Sequence, residues 1–348
     1  MVAIFVAGAT GKQGGSTARA LLAAGHTVHV YVRSRTSAAS QALASAGAVL
    51  FEGDWDDGKD QDGASLRAAL AGTRAAFFIS WPSFSDADAE VRAAGRILAA
   101  ARGTPSVRHV VYSTVHAMRL YGEDAPGLRR NAFLAGYFRS KAAGEEMVRG
   151  FADEGGGAGT QGAAARTYTI LRPSEFMTNY IQPWADFQFP DLIKTGVWNT
   201  AFPPDFGMRL VDPEDVGKIA AEALLHPEAW AGRVVEITGE VLPLQEEFQL
   251  LGEFAGRELG VRTYERAEAE TIAEQNPLVQ SQLLRMDWGD GRETVAKDDL
   301  GLGLGFRLTS FREYLDANRA AVVDTYKNVP MNHYCVGSPD IADVVVLS

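Results

Sequence analysis

The 348-residue chain is 46% hydrophobic and 22% charged, long enough to bury a large core, as one large domain or as one domain with a smaller lobe. A net charge of −11 argues against general nucleic-acid or anionic-membrane binding, and no apolar run reaches the roughly 18 residues that span a bilayer. The one cysteine, Cys335, excludes an internal disulfide, and no Cys/His cluster has metal-ligand spacing.

The opening MVAIFVAGATG lacks a basic start, and its apolar run ends at once in a glycine turn. It is not a secretory signal, so a cytoplasmic location is expected. VAIFVAG reads as the first strand. STARALLAAG follows as a helix, with Ala18, Leu21 and Leu22 at i, i+3 and i+4 and Gly25 as its stop. HTVHVYVR is the second strand, and AAFFIS, RHVVYST and TYTILRP are later ones. Between them DADAEVRAAGRILAAARG is helical, with Val91, Ile97 and Leu98 on or near one face. The glycine-rich Asp153–Arg166 stretch reads as a surface loop before the sixth strand. Strand–helix alternation demands crossover connections and therefore a parallel sheet. The fold class is α/β, a Rossmann-type doubly wound sheet.

Farther on, DPEDVGKIAAEALLHP is a helix with Pro213 in its first turn and Asp212 as its N-cap. GRVVEIT is a strand, and LQEEFQLLGEFAGRELG and SFREYLDANRAAVVDTY are amphipathic helices. These elements suggest a smaller C-terminal α/β lobe for the substrate. The expected division is a nucleotide-binding core over 1–175, with about 208–240 returning to it, a lobe over 176–330, and a tail over 331–348 without clear pattern. There is no internal repeat.

Gly8, Gly11 and Gly14 form G-x-x-G-x-x-G between a strand and a helix, the context a dinucleotide-binding loop requires. Gly8 permits the tight turn, Gly11 lets backbone approach a pyrophosphate, and Gly14 lets the helix pack on the strand. The helix N-terminus then offers free N–H groups to phosphate. A carboxylate ending the second strand would favour the ribose 2′-hydroxyl of NAD; here Arg33 and Arg35 follow that strand, and guanidinium suits a 2′-phosphate. NADP(H) is the expected cofactor. Lys12 adds charge, and Asp54 and Trp55 are placed to flank the adenine. Thr10, Gln13 and Ser80 complete the expected contacts on this side.

GATGKQGGSTARALLAAGHTVHVYVR, GDWDD, ILRPSEFMTNY and VDPEDVGKIAAEAL together resemble the NmrA-like (HSCARG-like) branch of the atypical short-chain dehydrogenases, from Met1 to about Val234 and more weakly to about Tyr326. The resemblance implies a Rossmann core, preference for NADP(H), and a cleft between the core and a smaller lobe. It also implies a split between reductases or tailoring enzymes and silent sensors that bind the dinucleotide and a partner protein.

Ser113 ends the strand RHVVYST, at the edge where such sheets bind ligands. Tyr137 and Lys141 are four apart and share a helix face. A phenol with an ordinary pKa of about 10 becomes a useful proton donor beside an ammonium. In short-chain dehydrogenases Ser, Tyr and Lys hold these roles. By resemblance Ser113 orients the substrate, Tyr137 donates the proton, and Lys141 tunes it and holds the nicotinamide ribose. Pro173, Ser174 and Phe176 are expected to line the nicotinamide. His116, Met118, Phe133, Met177, Tyr180 and Trp184 are expected to form an apolar substrate pocket, with Phe187 and Trp198 nearby and His116 as an alternative proton carrier.

The leading expectation is an NADPH-dependent reductase of a small, largely hydrophobic carbonyl, quinone or imine, with no nucleic-acid or membrane partner; a homodimer is compatible with the sequence. A non-catalytic NADP(H) sensor and a redox-neutral NADP-bound tailoring enzyme stay open beside it.

Overall fold

The computed structural model describes residues 2–54, 60, 63–79, 86, 88–116, 118, 131–153, 165–289, 304–330 and 344–346. Trp55, Ser80, Cys335, the side chain of Phe133 and the whole of the glycine-rich 154–164 stretch lie outside them. In chain order the strands and helices are β1 (Ala3–Ala7), α1 (Lys12–Ala23), β2 (Thr27–Val32), α2 (Ala38–Ser45), β3 (Val49–Glu52), α3 (Ala64–Leu70), β4 (Ala75–Ile79), α4 (Ala89–Arg102), β5 (His109–Ser113), α5 (Ala132–Asp153) and β6 (Thr167–Pro173). Next come β7 (Glu175–Phe176), a short 3₁₀ turn (Met177–Tyr180), α6 (Trp184–Gln188), α7 (Leu192–Thr195), β8 (Val197–Thr200), β9 (Gly207–Val211), α8 (Pro213–Leu225), α9 (Pro227–Trp230) and β10 (Arg233–Ile237). The chain continues through β11 (Glu240–Pro243), α10 (Leu244–Ala255), β12 (Gly260–Thr263), α11 (Arg266–Ala273), α12 (Pro277–Asp287), α13 (Phe311–Ala317), α14 (Arg319–Tyr326) and β13 (Val344–Val346).

Two compact units divide these elements. The first comprises 1–123, 135–173 and 213–237; the second comprises 124–134, 174–212 and 238–348. In the first, seven parallel strands lie in the order β10-β6-β5-β4-β1-β2-β3. A sheet covered by helices on both faces needs strands that are apolar throughout, and β1, β4 and β5 are buried along nearly all their length. The order reverses between β1 and β4, which makes their C-terminal ends the switch point where doubly wound sheets take ligands. Phe5, Phe78, Tyr112, Ile97, Val148 and Phe151 form part of the core on one side of the sheet. On α8, Gly217 lets the helix lie against Ser16 of α1, whose hydroxyl donates to the Glu214 carbonyl at 2.6 Å.

The second unit holds two three-stranded sheets, β11-β9-β7 and β13-β12-β8. Its core is aromatic: Tyr180, Phe189, Trp198, Phe248 and Phe311 meet stacked, tilted or edge-on at centroid distances of 4.9–5.6 Å in four of their pairings. The segment that returns to the first unit is Pro213–Ile237, while Gly207–Val211 pairs with β7 and β11 in the second. SFREYLDANRAAVVDTY, read as one helix, is two. The Asn318 side chain donates to the Tyr314 carbonyl at 2.8 Å, and its backbone leaves the helical region there. The tail contributes β13, antiparallel to β12.

Candidate functional site

The glycine loop has the geometry its sequence implies. Gly8 takes a left-handed φ of +68°, which an L side chain adopts at a cost. A Cβ on Gly14 would stand 2.5 Å from the Gly8 carbonyl oxygen, so only glycine lets α1 start this close to β1. The Gly11 N–H donates to the Gly8 carbonyl at 3.0 Å. No side chain caps α1, and its first turn carries no acid, so the first amides remain open to an anion beside exposed Thr10 and Lys12.

Past β2, Arg33 and Arg35 are exposed. The Ser34 carbonyl accepts from Ser40 Oγ at 2.7 Å, and the Arg35 carbonyl accepts from Gln41 Nε2 at 2.6 Å, which fixes the loop onto α2. The Arg35 N–H donates to Glu52 Oε2 at 2.9 Å. Sheet register explains this contact, because Val32 and Glu52 are paired at the ends of β2 and β3. Nearby, the Tyr31 hydroxyl donates to Asp60 Oδ2 at 2.8 Å. Burial opposes the Asp60 charge, but the Ser65 and Leu66 amides and the Tyr31 hydroxyl outweigh it and hold the carboxyl below its ordinary range. Asp54 is half-buried.

At the end of β5, Ser113 is 2% exposed, and its hydroxyl donates to Gln13 Oε1 at 2.7 Å. Tyr137, half-buried, and Lys141 follow on successive turns of α5, with Lys141 Nζ 5.3 Å from the Tyr137 ring centroid. Lys141 is itself buried and bonds Glu90 of α4 at 2.5 Å. Burial drives the Lys141 pKa below the ordinary lysine value, and Glu90 works in the opposite direction.

A second charged chain flanks this end of the sheet. Arg172 of β6 bonds both oxygens of Glu145 at 2.9 and 2.7 Å and also Glu236 of β10 at 3.1 Å. His116 Nε2 lies 3.7 Å from Glu236, and the His116 N–H donates to the Pro173 carbonyl at 2.9 Å. Burial raises the Glu145 pKa, but Arg172, Thr114 and Arg149 outweigh that and keep it below the usual carboxylate value. Met118 is 9% exposed.

The sequence pattern of the NmrA-like family matches residues 2–288. The chain belongs to the NmrA-like family. It is 27% identical over 254 residues, 70% of each chain, to an NmrA-like family domain-containing oxidoreductase (himF) of Aspergillus japonicus. Among solved structures it resembles NmrA, a negative transcriptional regulator, in complex with NAD, at 19% identity over 94% of this chain and 97% of that one, with a TM-score of 0.64. It also resembles the NADPH-dependent quinone oxidoreductase of Escherichia coli complexed with NADPH, at 20% identity over 91% of this chain and 99% of that one, with a TM-score of 0.63. These structural likenesses are likenesses of fold.

In the second unit of this NmrA-like chain, Met177 and Tyr180 are fully buried in the aromatic core, Phe176 is half-buried, and Trp184 and Phe187 are 46% and 52% exposed. Ser174 is buried, and its hydroxyl has no hydrogen-bond partner among the described residues. Glu247 of α10 is also buried, and neither carboxyl oxygen has a hydrogen-bond partner among the described residues. Burial pushes its pKa up to about 8, against the opposing pull of the neighbouring Tyr180 hydroxyl and the Arg285 charge.

Sequence reasoning missed Glu52, Glu90, Glu236 and the Ser113–Gln13 contact. For Glu52 a signal existed, since it closes the strand beside β2. Glu90 carried none, because an acid in the first turn of a helix is ordinary solvated capping. Among the described residues, no group of three or more His, Cys, Asp or Glu is placed to hold a metal ion, and no helix is long and apolar enough to cross a membrane.

Proposed function

We propose that this NmrA-like chain is an NADPH-dependent reductase of a small, largely hydrophobic carbonyl, quinone or imine compound, with Tyr137 as proton donor. The observation that carries the reading is the pairing of Tyr137 with a buried ammonium, Lys141, one turn along α5. The residues fit the cofactor. Gly8 makes the left-handed turn, the absence of a Cβ at Gly14 lets α1 start against the Gly8 carbonyl, α1 presents uncapped amides, and the exposed Arg33 and Arg35 suit a 2′-phosphate. NADPH, when bound, supplies the hydride. Tyr137 gives its phenolic proton to the substrate oxygen or nitrogen, and the Lys141 charge stabilises the phenolate left behind. The oxidoreductase relative and the quinone oxidoreductase of the same fold support this reading.

One observation favours a sensor instead. The Ser113 hydroxyl, the expected substrate-orienting group, is engaged by the glycine loop, and the regulator NmrA shares the fold. Single-turnover absorbance at the nicotinamide band separates the two. NADPH oxidation by aromatic ketones, quinones or imines that disappears in Tyr137→Phe supports the reductase. Tight NADPH binding with no oxidation across the panel supports the sensor.

A further inference from the structure

The side chains of Lys141 and Glu90 are 4% and 3% exposed, and their charged atoms are 2.5 Å apart. Ser140, the neighbour of Lys141, places its hydroxyl 2.5 Å from the other Glu90 oxygen and 2.8 Å from the Tyr137 carbonyl. One carboxylate on α4 thus engages two consecutive residues of α5 and, through Ser140, the backbone of Tyr137. A lysine enclosed this deeply gives up its proton unless a counter-charge holds it. Here that counter-charge is a carboxylate 51 residues away in sequence.

We propose that Glu90 is a positioning residue of the site. It keeps Lys141 an ammonium in a nearly dry environment and fixes that charge against the Tyr137 ring. The consequence for proton donation rests on the reductase reading, whereas the charge state of Lys141 does not.

Neighbouring charges on the packed elements have their own partners. On α4, Arg92 pairs with Asp86, and Arg96 bonds the Asp60 carbonyl. On α5, Glu145 is taken by Arg172, Arg149 and Thr114. Arg172 of β6 also holds Glu236 of β10, which lies beside His116 of the loop after β5. Burial lowers the Lys141 pKa, and the Glu90 charge and hydrogen bond are what oppose it.

The test is a pH titration of the lysine 13Cε signals by NMR, with Lys141→Met identifying the Lys141 resonance, alongside NADPH affinity by fluorescence at each pH. Glu90→Gln is expected to lower the Lys141 titration midpoint by roughly one pH unit or more. Its NADPH affinity is expected to fall with rising pH over a range where the parent is flat, and Glu90→Asp is expected to restore much of both. An unmoved Lys141 midpoint in Glu90→Gln overturns the proposal. Should that variant not fold, Glu90→Leu with Lys141→Met replaces the pair by apolar groups, a change buried pairs often tolerate. This double variant is expected to fold and to bind NADPH at least tenfold more weakly, with no pH dependence from this site; parent-like binding overturns the proposal. A shifted Lys141 midpoint in a protein that oxidises no NADPH leaves the Glu90 assignment standing and removes the reductase reading. Turnover by the parent with an unmoved midpoint removes the Glu90 assignment alone.

Discussion

Ser113 Oγ donates to Oε1 of Gln13 at 2.7 Å, so the end of β5 is tied directly to the loop that opens α1. The two residues stand 100 positions apart, and the bond reaches across the switch point between β1 and β4. Ser113 is therefore linked to the phosphate loop. Ser113→Ala and Gln13→Ala are each expected to weaken NADPH binding several-fold, and the double variant is expected to cost less than the sum by about 1 kcal/mol. Isothermal titration of the four proteins measures that coupling. Additive losses would mean that the hydroxyl and the amide act independently.

Tyr137→Phe keeps the ring that faces Lys141 Nζ at 5.3 Å and deletes only the hydroxyl. The expected result is a 10²–10⁴-fold loss of turnover, the usual worth of a positioned acid, with NADPH affinity within about twofold of the parent. Stopped-flow turnover and fluorescence binding check the two halves separately. Retained turnover would assign proton donation to another group, and His116, 3.7 Å from Glu236, is next in line.

The parallel sheet was legible because its strands are buried on both faces and so appear as short apolar runs such as AAFFI and HVVYS. The glycine loop was legible for a different reason: Gly8 and Gly14 answer local backbone demands, a left-handed turn and a close helix–strand approach, that other residues meet poorly. What stayed hidden depends on contacts remote in sequence. The carboxylate on Lys141 comes from a helix 51 residues earlier, and the strand that Val344–Val346 adds has its partner at Gly260–Arg262. Periodicity carries no information about either. The break at Asn318 was hidden by its opposite, a hydrophobic period that runs through without interruption while one side-chain amide ends the helix.

Cofactor choice is expected to turn on the loop after β2. Arg33 and Arg35 bring two guanidinium groups there, while Glu52 bonds the Arg35 backbone and brings one negative charge. Arg33→Ala with Arg35→Ala is expected to reduce NADPH affinity by about tenfold or more and leave NADH affinity nearly unchanged. Glu52→Gln is expected to move the preference the other way, towards NADPH. Competition binding of the two dinucleotides at low and high salt measures both. Equal losses for NADPH and NADH in the double variant would place the 2′-phosphate elsewhere.

Glu247 predicts how stability depends on pH. Its folded pKa, pushed up to about 8 by burial, stands above the ordinary value of 4.5 that the unfolded chain restores. Below pH 4.5 both states hold the proton, and the fold has its full stability. As pH rises towards 8 the unfolded state releases the proton while the folded state keeps it, so stability falls by up to about 1.4 kcal/mol per pH unit. Above 8 the folded carboxyl ionises as well, and the loss levels off. Glu247→Gln copies the neutral form at every pH and removes this slope. Thermal melts of parent and variant at pH 5, 6.5 and 8 are therefore expected to diverge steadily, with the variant gaining as pH rises. Parallel curves would mean that the carboxyl is already ionised at neutral pH and that Tyr180 and Arg285 stabilise its charge more than burial opposes it.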